Sequence, residues 1–227
     1  MLSRWRYLLF ARQWETAFVK AGQPLIHAEY GFDLRLEPGV YPSHPDFTYS
    51  TAMILQGLPD DLSDKTLLDV GTGCGAIAIA AARRGAKVHA VDINPAAVAL
   101  ARRNVMASGV EDRVTLGEGN VLRFAPAPGV PERFDYIAAN LWFPIRLWGF
   151  NQEHAPLMRM QKRFLSEVSD LLAPGGQALL ASGAFADSRG IRDLFAEAGL
   201  APDITTRRAR HDHGRIAVNW HLYSFKS

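Results

Sequence analysis

Two carboxylates and a run of glycines have the types and spacing to hold a nucleoside cofactor. Asp69 sits in an apolar run, Leu67-Leu68-Asp69-Val70, followed at once by Gly71-Thr72-Gly73-Cys74-Gly75. Asp92 closes the next apolar run, Val88-His89-Ala90-Val91, twenty-three residues after Asp69. A glycine turn between strand and helix lets a ligand touch the backbone, and an acid at the tip of the next strand can grip a ribose diol. The glycines fit two patterns. Gly71 to Ala76 satisfies G-x-G-x-x-A, a loose dinucleotide form, and with Asp69 it also satisfies D-x-G-x-G-x-G. Asp69 would repel a pyrophosphate seated on the turn. It would attract a ligand bearing an ammonium and a sulfonium, and S-adenosylmethionine bears both.

Such a site needs strands that end together. From Leu67 onward a regular strand–helix alternation supplies them: strand 67–70, helix 75–84 ended by Gly85, strand 87–91, helix 95–108. Asn94 suits the N-cap of that last helix, Pro95 its first position and Gly109 its end. Short strands follow at 114–117 and 134–140. A helix over 154–172 carries Leu157, Met160, Phe164, Leu165, Val168 and Leu171 on one side, and Pro174-Gly175-Gly176 breaks it before a strand at 177–182. A further helix, capped by Asp187 or Ser188, buries Ile191, Leu194, Phe195 and Ala198. Strands at 203–208 and 216–225, joined by a polar turn at 211–214, form an antiparallel pair because the connection is short. Ahead of all this, 2–21 reads as an amphipathic helix, 27–40 as a hairpin, 41–45 as a loop and 48–58 as a helix. The predicted fold is α/β: a Rossmann-like, doubly wound, mostly parallel sheet of seven strands with an antiparallel final strand. Residues 1–45 form a helix and hairpin extension, and 46–227 form the cofactor-binding domain.

Residues 67–75, Val91-Asp92-Ile93-Asn94-Pro95, Phe134-Asp135-Tyr136-Ile137-Ala138-Ala139-Asn140 and Leu172-Ala173-Pro174-Gly175-Gly176 resemble the ordered motifs of class I S-adenosylmethionine-dependent methyltransferases. The resemblance covers about residues 45–225 and is nearest the small-methyltransferase branch, which includes release-factor glutamine and rRNA guanine methyltransferases. Gly39-Val40-Tyr41-Pro42 and Phe47-Thr48-Tyr49-Ser50-Thr51 are similar to the segment that branch carries before its first strand. The resemblance implies that Asp69, Gly71, Thr72, Gly73 and Gly75 line the methionine end, that Asp92 binds the ribose and that Ile93 packs on the adenine. Asn120 stands where the family often has an acid for the adenine amine; an amide oxygen still accepts there.

Asn140-Leu141-Trp142-Phe143 occupies the place of the family's N-P-P-Y tetrad, with both prolines gone. The resemblance makes Asn140 the acceptor of a hydrogen bond from the substrate nitrogen, as well as a cofactor contact, and Phe143 the flat face against it. Transfer is then an in-line displacement in which positioning does most of the work. Tyr49, Trp142, Phe143 and Trp148 are the candidate substrate contacts. Trp142, Phe143, Trp148 and Phe150 crowd one loop, with Arg146 among them, as a substrate platform or gate, or else as a packing cluster or dimer contact.

The remaining chemistry-bearing residues carry less. His211-Asp212-His213 with His221 lacks the set a metal needs, so no metal is predicted and the histidines read as a polar hairpin tip. His27 and His44 flank the presumed entrance. Cys74 has no base partner and reads as cofactor lining. Arg83-Arg84, Arg102-Arg103 and Arg207-Arg208 read as solvated faces and dipole partners, since acids are interleaved, ahead of the alternative of an RNA-facing surface. The chain has 227 residues and a formal charge of +2, so no global basic field demands nucleic acid. Its single cysteine excludes a disulfide framework and predicts a cytoplasmic setting. Leu8-Leu9-Phe10 is too short for a signal-peptide core, and no segment approaches a membrane span.

The expectation is an S-adenosylmethionine-dependent methyltransferase acting on a nitrogen, or an oxygen, of a small molecule. RNA or protein N-methylation is the alternative, and an NAD(P)-dependent oxidoreductase or a non-catalytic binding module the readings of another class. Oligomeric state stays open, a dimer included.

Overall fold

A computed structural model describes residues 2–21, 24–28, 30–141, 154–183 and 188–226. In chain order its elements are α1 (Leu2–Ala21), β1 (Leu25–His27), β2 (Leu34–Leu36), α2 (Ser50–Gly57), β3 (Thr66–Val70), α3 (Ala76–Arg83), β4 (Lys87–Asp92) and α4 (Pro95–Ala107). Then come β5 (Val114–Asn120), β6 (Arg123–Phe124), β7 (Phe134–Ala139), α5 (His154–Leu171), β8 (Leu172–Ser182), α6 (Ser188–Glu197), β9 (Asp203–His211) and β10 (Ile216–Lys226). Local chemistry sets several boundaries as the sequence predicts. Asn94 Oδ1 accepts from Ala96 N at 3.0 Å with Pro95 at the first helical position of α4.

The main sheet runs in the order β6-β5-β4-β3-β7-β8-β10-β9. It has eight strands instead of seven because β6, two residues long, folds back on the end of β5. Two residues show no alternation, so pattern reading passes over them. Strands β3, β4, β5, β7 and β8 are parallel to their neighbours within that set. β10 is antiparallel, as expected, and is inserted between β8 and β9. It carries Trp220 and Leu222 toward one face and Tyr223 and Phe225 toward the other, all buried. The arginine-rich β9 is left at the exposed edge, where charge suits an unpaired strand.

Leu67, Ala138, Leu179 and Trp220 pack on one face beneath α2, α3 and α4, and Leu68, Ile137, Leu180 and Tyr223 pack on the other against α5 and α6. The first face also takes the N-terminal segment. Tyr7 and Ala11 of α1 are buried there, with Tyr7 edge-on to Trp220 at 5.7 Å and its hydroxyl donating to the Phe47 carbonyl.

Two turns differ from expectation. β9 runs on through His211, and the turn falls at 212–215, with Asp212 and His213 in left-handed backbone at φ 51° and 50°. His211 is therefore no solvated tip but a buried link: Trp220 Nε1 donates to its Nε2 at 3.1 Å. Indole is donor only, so Nδ1 holds the proton and donates to the Asp46 carbonyl at 3.0 Å. At Pro174-Gly175-Gly176 the chain bulges within β8: Phe134 pairs with Leu172, but Tyr136 already pairs with Gln177. A Cβ at Gly176 would lie 2.8 Å from the Ala173 carbonyl and 2.9 Å from that of Phe134, so only glycine fits.

Candidate active site

Chain order creates the site. From β3 the sheet grows through β4 and β5 on one side, then restarts through β7 and β8 on the other. A crevice opens at such a reversal, outside the carboxyl ends of the central strands. Those ends are Val70-Gly71 on β3 and Ala139-Asn140 on β7, and a cavity of about 300 Å³ lies there. That is the lower end of the range for ligand sites. Gly71, Gly73, Asp92, Ile93, Asn120 and Asn140 all line it.

The turn is held by β4. The amides of Gly71 and Thr72 both donate to the Val91 carbonyl, at 2.9 and 3.0 Å. Asp92 completes the clamp, Oδ2 accepting from Gly73 N and Oδ1 from Asn94 N, each at 2.9 Å. Burial pushes its carboxyl up, and the amides of Asn94, Gly73 and Ile93 pull the other way. With three amides on its roughly four lone-pair sites, the carboxylate keeps capacity for a ribose hydroxyl. Ile93 is 67% exposed beside it, an apolar side chain left open at the rim of the cavity. Asn120 ends β5 on the same wall, where Val121 adopts φ 58° to turn the chain into β6.

Asp69, Thr72 and Gly75 are not part of the lining. Asp69 is fully buried below the turn, where Thr72 Oγ1 donates to its Oδ2 at 2.7 Å and Oδ1 has no hydrogen bond of normal geometry. Burial raises its carboxyl to about 7, against the pull of Thr72 and the Ala78 amide and with a further push from Asp92. Gly75 begins α3 at φ 87°, and a Cβ there would sit 3.3 Å from Ala101 of α4. Its role is close helix packing. Cys74 is likewise buried behind the turn, where burial raises its thiol. Sequence spacing found all four but could not tell the wall from what stands behind it.

At the other end Asn140 Nδ2 donates to Thr51 Oγ1 at 3.4 Å. Trp142, Phe143 and Trp148, with Phe150 and Arg146, lie outside the described residues. Tyr49 bonds Gln56 and does not line the cavity. His27 and His44 pack ring to ring at 5.1 Å, away from the lining. Arg84 caps the carbonyls of Leu55 and Leu58 at the end of α2, and Arg103 pairs with Glu37 at 2.6 Å. Among the described residues no three histidine, cysteine or acidic groups gather for a metal, and no helix is long and apolar enough to cross a membrane.

Residues not singled out for the site also build it. Tyr41, Val121, Leu141 and Met160 of α5 line the cavity. Buried Asn104 of α4 donates to the carbonyls of Arg35 and Cys74 and accepts from Arg35 N, tying β2 to the glycine turn. Its one signal in sequence is a polar residue between the buried Ala101 and Val105 of α4.

The arrangement fits S-adenosylmethionine. A carboxylate buried beneath the glycine turn can place negative charge under a cation, a rim carboxylate keeps capacity for a ribose hydroxyl, and an exposed isoleucine offers a face for a flat base. Comparisons agree. The model of the methyltransferase small domain matches residues 31–199. The ribosomal protein L11 methyltransferase of Pelotomaculum thermopropionicum is 32% identical over 205 residues, covering 85% of this chain and 60% of that protein. The ribosomal RNA small subunit methyltransferase C of Chromohalobacter salexigens is 31% identical over 177 residues, covering 76% and 49%. The chain thus spans less than two thirds of the length of these relatives. A methyltransferase structure from Pyrococcus furiosus superposes with a TM-score of 0.61 over 95% of this chain and 97% of that one, at 20% identity, which shows a shared fold.

Proposed function

The chain belongs to the methyltransferase small domain family, and from that premise we propose that it methylates a nitrogen on a component of the ribosome, a protein before an RNA. The observation that carries this is the meeting of the Gly71–Gly73 turn, Asp92 and Asn140 in one cavity at the switch point of the sheet. The small-molecule acceptor expected from sequence gives way here, since the relatives above are named for ribosomal protein L11 and for ribosomal RNA. Protein is placed first because the L11 relative matches more of the chain. A dinucleotide oxidoreductase is disfavoured by family and by the acid under the turn. A non-catalytic module would suit an occluded Asn140, whereas Asn140 faces the cavity.

When bound, S-adenosylmethionine supplies a sulfonium methyl whose departure leaves a neutral thioether and needs no acid. The chain's own residues then place and orient. Asp92 holds the ribose diol, Ile93 lies along the adenine and Asn120 accepts from its amine. Gly71 and Gly73 keep the wall free of side chains, and Asp69 supplies negative charge beneath it. Asn140 Oδ1 holds the acceptor's N–H so that its lone pair faces the methyl. Losing such a positioning contact costs on the order of 10²-fold.

Thermal shift tests the cofactor: S-adenosylhomocysteine raises the melting temperature, NAD does not, and Asp92→Ala abolishes the rise. The opposite pattern overturns the reading. Incubation of labelled S-adenosylmethionine with ribosomal proteins and rRNA tests the acceptor, with label expected in L11. Label in rRNA alone would move the acceptor to RNA.

A further inference from the structure

Hydroxyls packed out of water back the acceptor end of the cavity. Tyr41, Ser43, Thr48, Ser50 and Thr51 come from one stretch of chain leading into α2, and the last four are each 6% exposed or less. Two of the hydrogen bonds among them have a set direction. Tyr41 Oη donates to Thr48 Oγ1 at 2.6 Å, and Thr51 Oγ1 donates to Ser43 Oγ at 3.2 Å. Ser43 in turn bonds the Cys74 thiol. A hydroxyl has one proton, and once that is given it can only accept.

Asn140 meets two hydroxyls of this kind. Its Nδ2 donates to Thr51 Oγ1, and its side chain also hydrogen-bonds the Tyr41 hydroxyl. Both partners have committed their protons elsewhere, so both want the amide's hydrogens. Turning the amide over would set its oxygen against oxygen lone pairs on two sides. Oδ1 is left with no partner among the described residues, on a side chain that lines the cavity.

We propose that Tyr41, Thr51 and, through Thr51, Ser43 are positioning residues that fix the polarity of the Asn140 amide, so that Oδ1 faces the methyl acceptor. The inference rests on the nitrogen-acceptor reading above. Polarity matters because an amide turned the other way offers a donor to the lone pair that must attack, and so ties it up.

The first test needs neither cofactor nor acceptor. In isotope-labelled protein the Asn140 Hδ2 protons should show NOEs to the Thr51 methyl and the Tyr41 ring. Ser43→Ala, which frees the Thr51 proton to point at Asn140, should weaken the contact to Thr51. The second test is turnover on the labelled ribosomal acceptor. Thr51→Val should lower kcat about five- to tenfold, the worth of one neutral hydrogen bond, with S-adenosylhomocysteine affinity unchanged, and Thr51→Ser should restore it. Absent NOEs in the wild type, or equal impairment in Thr51→Val and Thr51→Ser, overturns the proposal. If the NOEs behave as expected and no acceptor is labelled, the fixed polarity is upheld and the acceptor reading alone falls.

Discussion

Burial decides the chemistry of Asp69. Its carboxyl sits at about 7 because the pocket under the turn desolvates it and Asp92 repels it, more than Thr72 and the Ala78 amide relieve it. The sign follows by linkage. A carboxyl held protonated in the fold favours folding below its ordinary range near 4, and that advantage is lost as pH rises through 7. His27, lowered to about 4 chiefly by burial, acts the opposite way and withdraws stability as pH falls from about 6.5. In the free protein the two oppose each other between these limits. A cation at the turn favours ionised Asp69 and leaves His27 unaffected, so binding isolates the aspartate. Affinity for S-adenosylmethionine should therefore rise with pH to about 7 and then level. Calorimetric titrations from pH 5.5 to 8.5, with Asp69→Asn run in parallel to subtract the ligand's own ionisation, check this. An identical profile in the two proteins would remove Asp69 from the linkage.

Among the elements, α3 and α4 show how a motif residue can serve packing. Gly75 combines φ 87° with an approach to Ala101 that leaves a Cβ only 3.3 Å. An L-residue in that backbone region costs about 1–2 kcal/mol before any contact is counted. Gly75→Ala should lower the unfolding free energy by at least that much in urea denaturation, while cofactor affinity changes less than stability does. A large loss of affinity at unchanged stability would return Gly75 to the cavity wall. Strand β10 teaches a related lesson. Its apolar residues on both faces mark an interior strand, yet a short turn to β9 is equally compatible with an edge. Pairing with β8 settles the matter, and only the folded sheet contains it.

Across the whole molecule, the N-terminal segment shares a core with the sheet. Tyr7 is buried against Trp220 and His211 and reaches the Phe47 carbonyl, joining α1, the segment before α2 and the last hairpin. Emptying such a site costs about 3–5 kcal/mol, by analogy with other large aromatic truncations. Tyr7→Ala should lower global stability by that order in a single transition, and Tyr7→Phe by about 1–3 kcal/mol through the unmet carbonyl. Two separate transitions, with only the smaller one moved, would show that residues 1–45 fold apart from the rest.

The cofactor end was legible in the sequence because it is local. A strand end, a glycine turn and the next strand's acid lie within one strand–helix–strand unit, and short-range backbone constraints fix their order and reach. The acceptor end was half legible: Asn140 stood out by its motif, but its polarity depends on hydroxyls from 41–51, of which the nearest in the chain, Thr51, is 89 residues from Asn140. Spacing could not rank Asp69 below the wall and Asp92 on it, nor turn His211 from an apparent surface residue into a buried link. Those outcomes depend on which side chains exclude water from which groups. Desolvation and long-range hydrogen bonding are properties of the packed molecule, so the tertiary structure alone decides them.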